Sequence, residues 1–274
     1  MPDALHSWIL VTNDDGADSP ALPPLLRRLE GIATVDTLVP ADECSWTSKI
    51  VSRFSPLTLA ERHDEGTAVR TLTGFPADCA NIGVNNLHPS PPELLISGIN
   101  VGTNAGLAFF LSSGTVGAAV EATLSGVPAV AFSMEIEKEQ YANWRRERRM
   151  EGMEERWAAA ATVAAEVVRE VLEAGLPEGA SMMSVNMPPD VTPHTPRRLT
   201  GLTETRYGGV FRREEATGRF CHAYQGVTRV GGDDGDVEVL ARGEVAMTPI
   251  RFALALDPTS RDRRRFERGR SGRD

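Results

Sequence analysis

The sequence predicts an α/β fold, a doubly wound and mostly parallel sheet with a β-hairpin region appended toward its C-terminal end. Three observations lead there. Short apolar runs alternate with amphipathic segments through the first hundred residues, glycine and proline punctuate the changes, and after about residue 187 the pattern turns to short alternations rich in Thr, Gly and charge. The 274 residues are 41% hydrophobic and 24% charged, ordinary globular values that argue against a disordered, collagen-like or disulfide-scaffold chain. One domain can hold this length. The reading assigns residues 1–256 to a single α/β domain, about 187–245 to the appended β-rich, oligomerising region, and 257–274 to a charged tail.

Each element has its own signal. Trp8 to Thr12 is an unbroken apolar run, as a central strand covered on both faces requires. Pro20 to Leu29 reads as a helix with proline in its first turn, and Thr34 to Val39 as the second strand. Leu94 to Ser97 is a further strand, Val116 to Leu124 a helix after a glycine-rich turn, and Ala129 to Ser133 a strand after the Gly126-Val127-Pro128 stop. The stretch from Glu135 to Arg156 is sharply charged and is expected to be an exposed insertion or the polar start of a helix, without chemistry. Trp157, Ala160, Ala161, Ala164, Val168, Val171 and Leu172 recur at helical spacing before Gly175 and Pro177. Met182 to Asn186 and Val245 to Pro249 complete the set of strands.

A net charge of −9 opposes attachment to DNA or to an anionic membrane surface, both of which call for basic patches. The basic stretch from Arg261 through Arg273 reads as a solvated terminus. Cys44, Cys79 and Cys221 are odd in number and lack CxxC spacing, which suggests neither disulfides nor a zinc–thiolate site. No basic segment leads into an apolar run, and no stretch is long enough to span a bilayer. A cytoplasmic protein is expected.

The chemistry concentrates at strand ends. Asn13-Asp14-Asp15-Gly16 follows the first strand directly, where open α/β sheets bind ligands. As a bare string it is a good turn; after a buried strand it becomes a candidate site. Adjacent carboxylates repel unless a cation lies between them, and an all-oxygen set suits Mg²⁺, Mn²⁺ or Ca²⁺. His6, His63, His88, His194 and His222 have no ligand spacing and read as surface or structural. Between Ser97 and Gly106 two Asn sit among glycines, a loop rather than a helix, and Asn100 could offer its amide oxygen to the metal. Ser112-Ser113-Gly114-Thr115 opens the next helix, whose N–H groups make either a phosphate cradle or an ordinary N-cap. The signatures of serine hydrolases, P-loop triphosphatases and dinucleotide binders are missing.

Together ILVTNDDG at 9–16, GFPADC at 74–79, SGINVGTNAG at 97–106 and SGTVGAAVEA at 113–122 resemble the SurE family of phosphatases, with weaker similarity through SVNMP at 184–188 and GEVAMTPI at 243–250. The resemblance implies a Rossmann-like, metal-dependent nucleotidase that releases phosphate from nucleoside 5′- and 3′-monophosphates, acting as a homodimer or homotetramer with exchanged C-terminal elements. By motif position it places one divalent metal ion per subunit on Asp14, Asp15, Ser45 and Asn100. Asn104, Ser113, Gly114 and Thr115 then grip the phosphate. The chain departs from the family at Trp46, where a glycine or small residue is usual, and at Leu107 to Ser112, where an acidic residue and a Tyr are common. Trp46 and the Phe109-Phe110 pair leave two other readings open: a phosphatase for a different small phosphomonoester, and a noncatalytic metal- or nucleotide-binding protein.

Overall fold

The computed structural model describes residues 8–64, 67–148, 150–231, 234–252 and 257–267. Strand β1 (Trp8–Thr12) is buried at every residue. Helix α1 (Leu22–Leu29) carries proline in its first turn and buries Leu22, Leu25, Leu26 and Leu29, the inward stripe of an amphipathic helix. After β2 (Thr34–Pro40) come an antiparallel hairpin, β3 (Leu59–Asp64) and β4 (Thr67–Leu72), and helix α2 (Pro76–Asn86). Asp78 caps α2 by accepting the Phe75 N–H at 2.9 Å. Next come β5 (Leu94–Val101), α3 (Leu107–Ser112), α4 (Gly114–Leu124), β6 (Ala129–Met134), α5 (Lys138–Glu147), α6 (Glu154–Ala174) and β7 (Met182–Met187). The remainder is β8 (Arg197–Leu199), β9 (Thr205–Tyr207), β10 (Phe211–Arg213), β11 (Phe220–His222), β12 (Val227–Arg229), α7 (Asp236–Ala241), β13 (Val245–Ile250) and α8 (Ser260–Phe266).

Nine strands form the main sheet in the order β3-β4-β2-β1-β5-β6-β7-β13-β8. From β4 to β7 all neighbours are parallel; β3 runs against β4 and β13 against β7, while β8 is parallel to β13. The chain winds outward from β1 to β4, then returns to lay β5 on the other side of β1, so β1 and β5 flank the topological switch point of a Rossmann-like sheet. Alternate residues of β1 feed opposite layers. Ile9 and Val11 join the core under α1 and α6, while Trp8 and Leu10 join that under α2 and α4. Helix α2 approaches closely enough that a Cβ on Gly83 would stand 2.3 Å from Leu10 Cδ2.

The strands and helices anticipated from apolar periodicity are present to within a few residues. The segment expected as a loop from Ser97 is strand up to Val101, with a register shift between Ser97 and Asn100. Gly98 makes this possible: its φ is +124°, and a Cβ would lie 2.3 Å from the Phe132 carbonyl oxygen. The hairpin β3–β4, helices α2 and α3, and α7 were not anticipated. The residues of β3–β4, α2 and α7 are mixed in polarity, so neither period stands out, and α3 is apolar but, at six residues, too short to show one.

The appended region holds one long antiparallel arm. Strand β9 pairs with β12 and β10 with β11, while both its feet rest on the body. At the base Gly201 bridges Gly235, and the Asp236 N–H donates to Gly201 O at 3.0 Å. The N–H groups that open α3 anchor the first foot: Leu107 donates to Thr203 O at 2.8 Å and Ala108 to Thr205 Oγ1 at 2.9 Å. Helix α8 has no buried residue. Among the described residues, no helix is long and apolar enough to cross a membrane.

Candidate active site

Asn13 shapes the turn that presents the two carboxylates. Its side chain accepts the Gly16 N–H at 3.0 Å and donates to Gly16 O at 2.9 Å, and Gly16 takes φ +82°. Asp14 and Asp15 are both buried. Asp15 Oδ2 accepts the Val101 N–H at 3.0 Å, which joins the ends of β1 and β5. Asp14 is held from α4: Thr115 donates its N–H to Oδ2 at 3.1 Å and its hydroxyl to Oδ1 at 2.5 Å. Gly114 lets the helix come this near, since a Cβ there would meet Asp14 Cβ at 2.9 Å and Cys44 O at 3.0 Å.

Electrostatically the two carboxylates oppose each other, and Arg148 favours ionised Asp15 less than burial and the Asp14 charge oppose it. Burial pushes the Asp14 carboxyl up to about 6, even though the Thr115 donors favour its ionised form. Burial and then the Asp14 charge raise Asp15 well above the usual carboxylate range. Glu43 adds a third negative charge nearby. Partial burial opposes its ionisation, but the Ser45 N–H at 3.1 Å, Arg145 at 2.7 Å and Arg148 at 3.0 Å outweigh that and hold its pKa below the ordinary value.

Asn100 donates its amide N–H to Gly102 O at 2.7 Å, which leaves the amide oxygen as the group available to a cation. Ser45 lines the same cavity as Asp14 and Asn100. Among the described residues no three His, Cys, Asp or Glu side chains gather to hold a metal. A cation here would have two carboxylates, an amide oxygen and a hydroxyl to draw on, an all-oxygen set suited to a hard divalent ion. The residues fit such an ion: it would offset the burial of two like charges.

Two of the phosphate-binding expectations change in detail. Both Thr115 donors are taken by Asp14, and the Ser113 hydroxyl accepts the Val116 N–H at 3.1 Å as an N-cap. So the start of α4 chiefly orients Asp14, and a phosphate would find there the Gly114 N–H and the Ser113 hydroxyl proton. Asn104 lines the same cavity as Asp14. Its N–H donates to Asn186 Oδ1 at 2.8 Å and its amide to Ser133 Oγ at 2.7 Å, so the ends of β6 and β7 position it. Sequence reasoning missed Ser133 and Asn186; the SVNMP string was a signal for Asn186 alone, and Ser133 was read only as the end of a strand.

The charged segment that was expected to carry no chemistry lines the cavity. Glu135, Ile136, Lys138 and Tyr141 share a space of about 330 Å³ with Asp14, Asn100, Asn104 and Ser113. Burial and Glu137 raise the Glu135 carboxyl. The cysteines are free, and burial, the largest cause, pushes the Cys44 thiol up to about 12 and Cys79 well above its ordinary value, so neither is a nucleophile. None of the described histidines lines this cavity: His88 binds Asp36 at 2.7 Å and His222 packs on Trp46. His6 lies outside the described residues.

The family of survival protein SurE matches residues 9–210 of this chain. The chain is 33% identical over 252 residues to the 5′-nucleotidase SurE of Methanocella arvoryzae, covering 90% of this chain and 92% of that protein. It is likewise 33% identical over 251 residues to the 5′-nucleotidase SurE of Geobacter sulfurreducens, covering 90% and 88%. The crystal structure of the SurE protein from Aquifex aeolicus aligns with a TM-score of 0.69 at 24% identity, over 90% of this chain and 94% of that one, a likeness of fold. With its strand order, its buried aspartate pair and these matches, the chain belongs to the SurE family.

Proposed function

We infer that this chain is a divalent-metal-dependent phosphatase that hydrolyses nucleoside 5′- and 3′-monophosphates to nucleoside and phosphate. The observation that carries the reading is the buried Asp14–Asp15 pair at the carboxyl end of β1, beside the switch point and the first turn of α4. In this reading Asp14, Asp15, Ser45 and Asn100 hold one Mg²⁺, Mn²⁺ or Ca²⁺ per subunit. When bound, the ion supplies charge against the phosphoryl oxygens and makes a water more acidic. Asn104, Ser113 and the Gly114 N–H hold the phosphate oxygens, Thr115 keeps Asp14 aimed, and the ester oxygen leaves with a proton as the attacking water adds to phosphorus in line. The rival mechanism makes one of the two aspartates a nucleophile that forms an aspartyl-phosphate, and a trapped phosphoenzyme would replace the water attack with it.

The test is phosphate release from nucleoside monophosphates and other phosphomonoesters, with EDTA and with added Mg²⁺ or Mn²⁺. Metal-dependent release from nucleotides is expected; no release from any ester under any metal would leave a binding role. The exposed Phe54, Leu111, Phe211 and Phe220 support the further proposal of a homodimer or homotetramer, which light scattering on the purified protein checks. A cytoplasmic location, proposed from the free cysteines, is checked by fractionating cells.

A further inference from the structure

The cavity has a second chemistry besides its carboxylates and amides. Trp46, Phe109 and Tyr224 also line it, from three separate segments: the loop after β2, helix α3 and the turn after β11. Trp46 is the hub. Its ring lies 6.1 Å from Phe109, 5.8 Å from Tyr224, 5.6 Å from Tyr207 and 4.9 Å from His222, and Phe109 is 5.6 Å from Tyr224. Every one of these pairs is tilted or edge-on, with interplanar angles from 56° to 81°. No ring face is used up by parallel stacking, and Trp46 and Tyr224 remain 37% and 38% exposed.

The backbone fixes this hub. Trp46 and Ser48 take φ of 62° and 51°, a left-handed conformation that side chains rarely adopt. The loop is tied by Thr47 Oγ1 donating to Cys44 O at 2.7 Å, Ser48 N–H to Ser112 O at 3.0 Å, and Ser48 Oγ to Leu111 O at 2.8 Å. Gly117 of α4 gives it room, since a Cβ there would meet Ser48 O at 2.1 Å. A rigid aromatic ring is thus held at the cavity beside Ser45, with a face to offer.

We propose that Trp46, Phe109 and Tyr224 are the base-recognising half of the site, and that the arm, by delivering Tyr224, makes the enzyme select phosphomonoesters bearing a planar base over those bearing a sugar alone. This rests on the phosphatase reading above. A base inserts against the free faces as single-stranded nucleic-acid binders stack bases on aromatic side chains, a contact indifferent to which base is present. The cavity, at about 330 Å³, lies at the small end of the range for small-molecule sites and can house a flat ring together with a phosphate.

The experiment compares kcat/KM for AMP with that for ribose 5-phosphate in the wild type, Trp46→Ala, Trp46→Phe and Tyr224→Ala, alongside titration of adenosine into metal-free protein followed by tryptophan fluorescence. Trp46→Ala lowers the AMP to ribose 5-phosphate ratio at least tenfold, chiefly through KM; Tyr224→Ala lowers it less, and Trp46→Phe restores most of it. Adenosine quenches the wild type, and the quench disappears in Trp46→Phe. An unchanged ratio in Trp46→Ala, as a mere packing role for the rings requires, overturns the proposal, as does the absence of a quench. If the wild type cleaves neither ester yet adenosine still quenches it, the phosphatase reading falls while the base site stands.

Discussion

The parallel sheet and the arm from 205 to 229 sit at opposite physical extremes within one chain. Strands β1, β5, β6 and β7 are buried at every residue, whereas β10 is exposed at every residue and the arm touches the body at its feet and through aromatic rings. The groups that need tight geometry, Asp14, Asp15, Asn100 and Asn104, all stand at strand ends in the first region. The contribution of the second is surface area, which tolerates looser placement. A cleft can thus be rigid at its reacting end and soft at its recognising end.

The largest effect expected from breaking the rigid half is Asp14→Asn. Loss of a metal ligand forfeits several kcal/mol of transition-state stabilisation, on the order of 10³-fold or more in kcat, while circular dichroism stays native; full activity would remove Asp14 from the mechanism. Next, Leu10→Ala in the sheet should cost about 2–5 kcal/mol in urea unfolding, because a fully buried side chain leaves a cavity.

The metal-free protein sharpens the contrast through pH. The Asp14 carboxyl keeps its proton up to about 6 in the fold against an ordinary 3.8, so between those values the native state binds more protons than the unfolded one. Its contribution is fully present below 3.8 and lost as pH rises through about 6. Thermal melts without metal should show the wild type losing stability relative to Asp14→Asn across that window. Mn²⁺ at pH 7.5 should raise the wild-type Tm and leave that of Asp14→Asn unmoved; parallel curves would refute the assignment. Thr115→Val removes only the hydroxyl that aims Asp14 and should lower kcat about 10- to 100-fold, the usual cost of losing such a partner. Smallest of all, Phe220→Ala on the exposed arm should stay within about 0.5 kcal/mol of wild-type stability.

The same contrast decides what could be read from sequence. Strands covered on both faces, such as β1 and β7, leave unbroken apolar runs, and the turn at Asn13 to Gly16 follows one of them, so the buried carboxylate side of the cleft was legible. Hairpin β3–β4 was not: its Glu61, Arg62, His63 and Arg70 give no alternation to detect. Helix α5 was set aside for its charge, yet Arg145 reaches Glu43 and Tyr141 faces the cavity. Thr115 looked like a phosphate ligand because a helix start attracts any anion; which anion it meets, Asp14, depends on a β1–α4 distance that no local pattern encodes. The ring cluster around Trp46 likewise joins residues with no relation in sequence.

The arm leaves and re-enters the body at adjacent points. Gly201 bridges Gly235, and the Val230 N–H donates to Glu204 O at 2.8 Å, so its two ends are already joined without it. Such an excursion behaves as an exchangeable cassette: its length and rings can drift, shorten or be grafted from a relative while the catalytic body keeps its register. Leaving-group preference can therefore be altered by exchanging the arm alone, with the strand ends that carry Asp14 and Asp15 left in place.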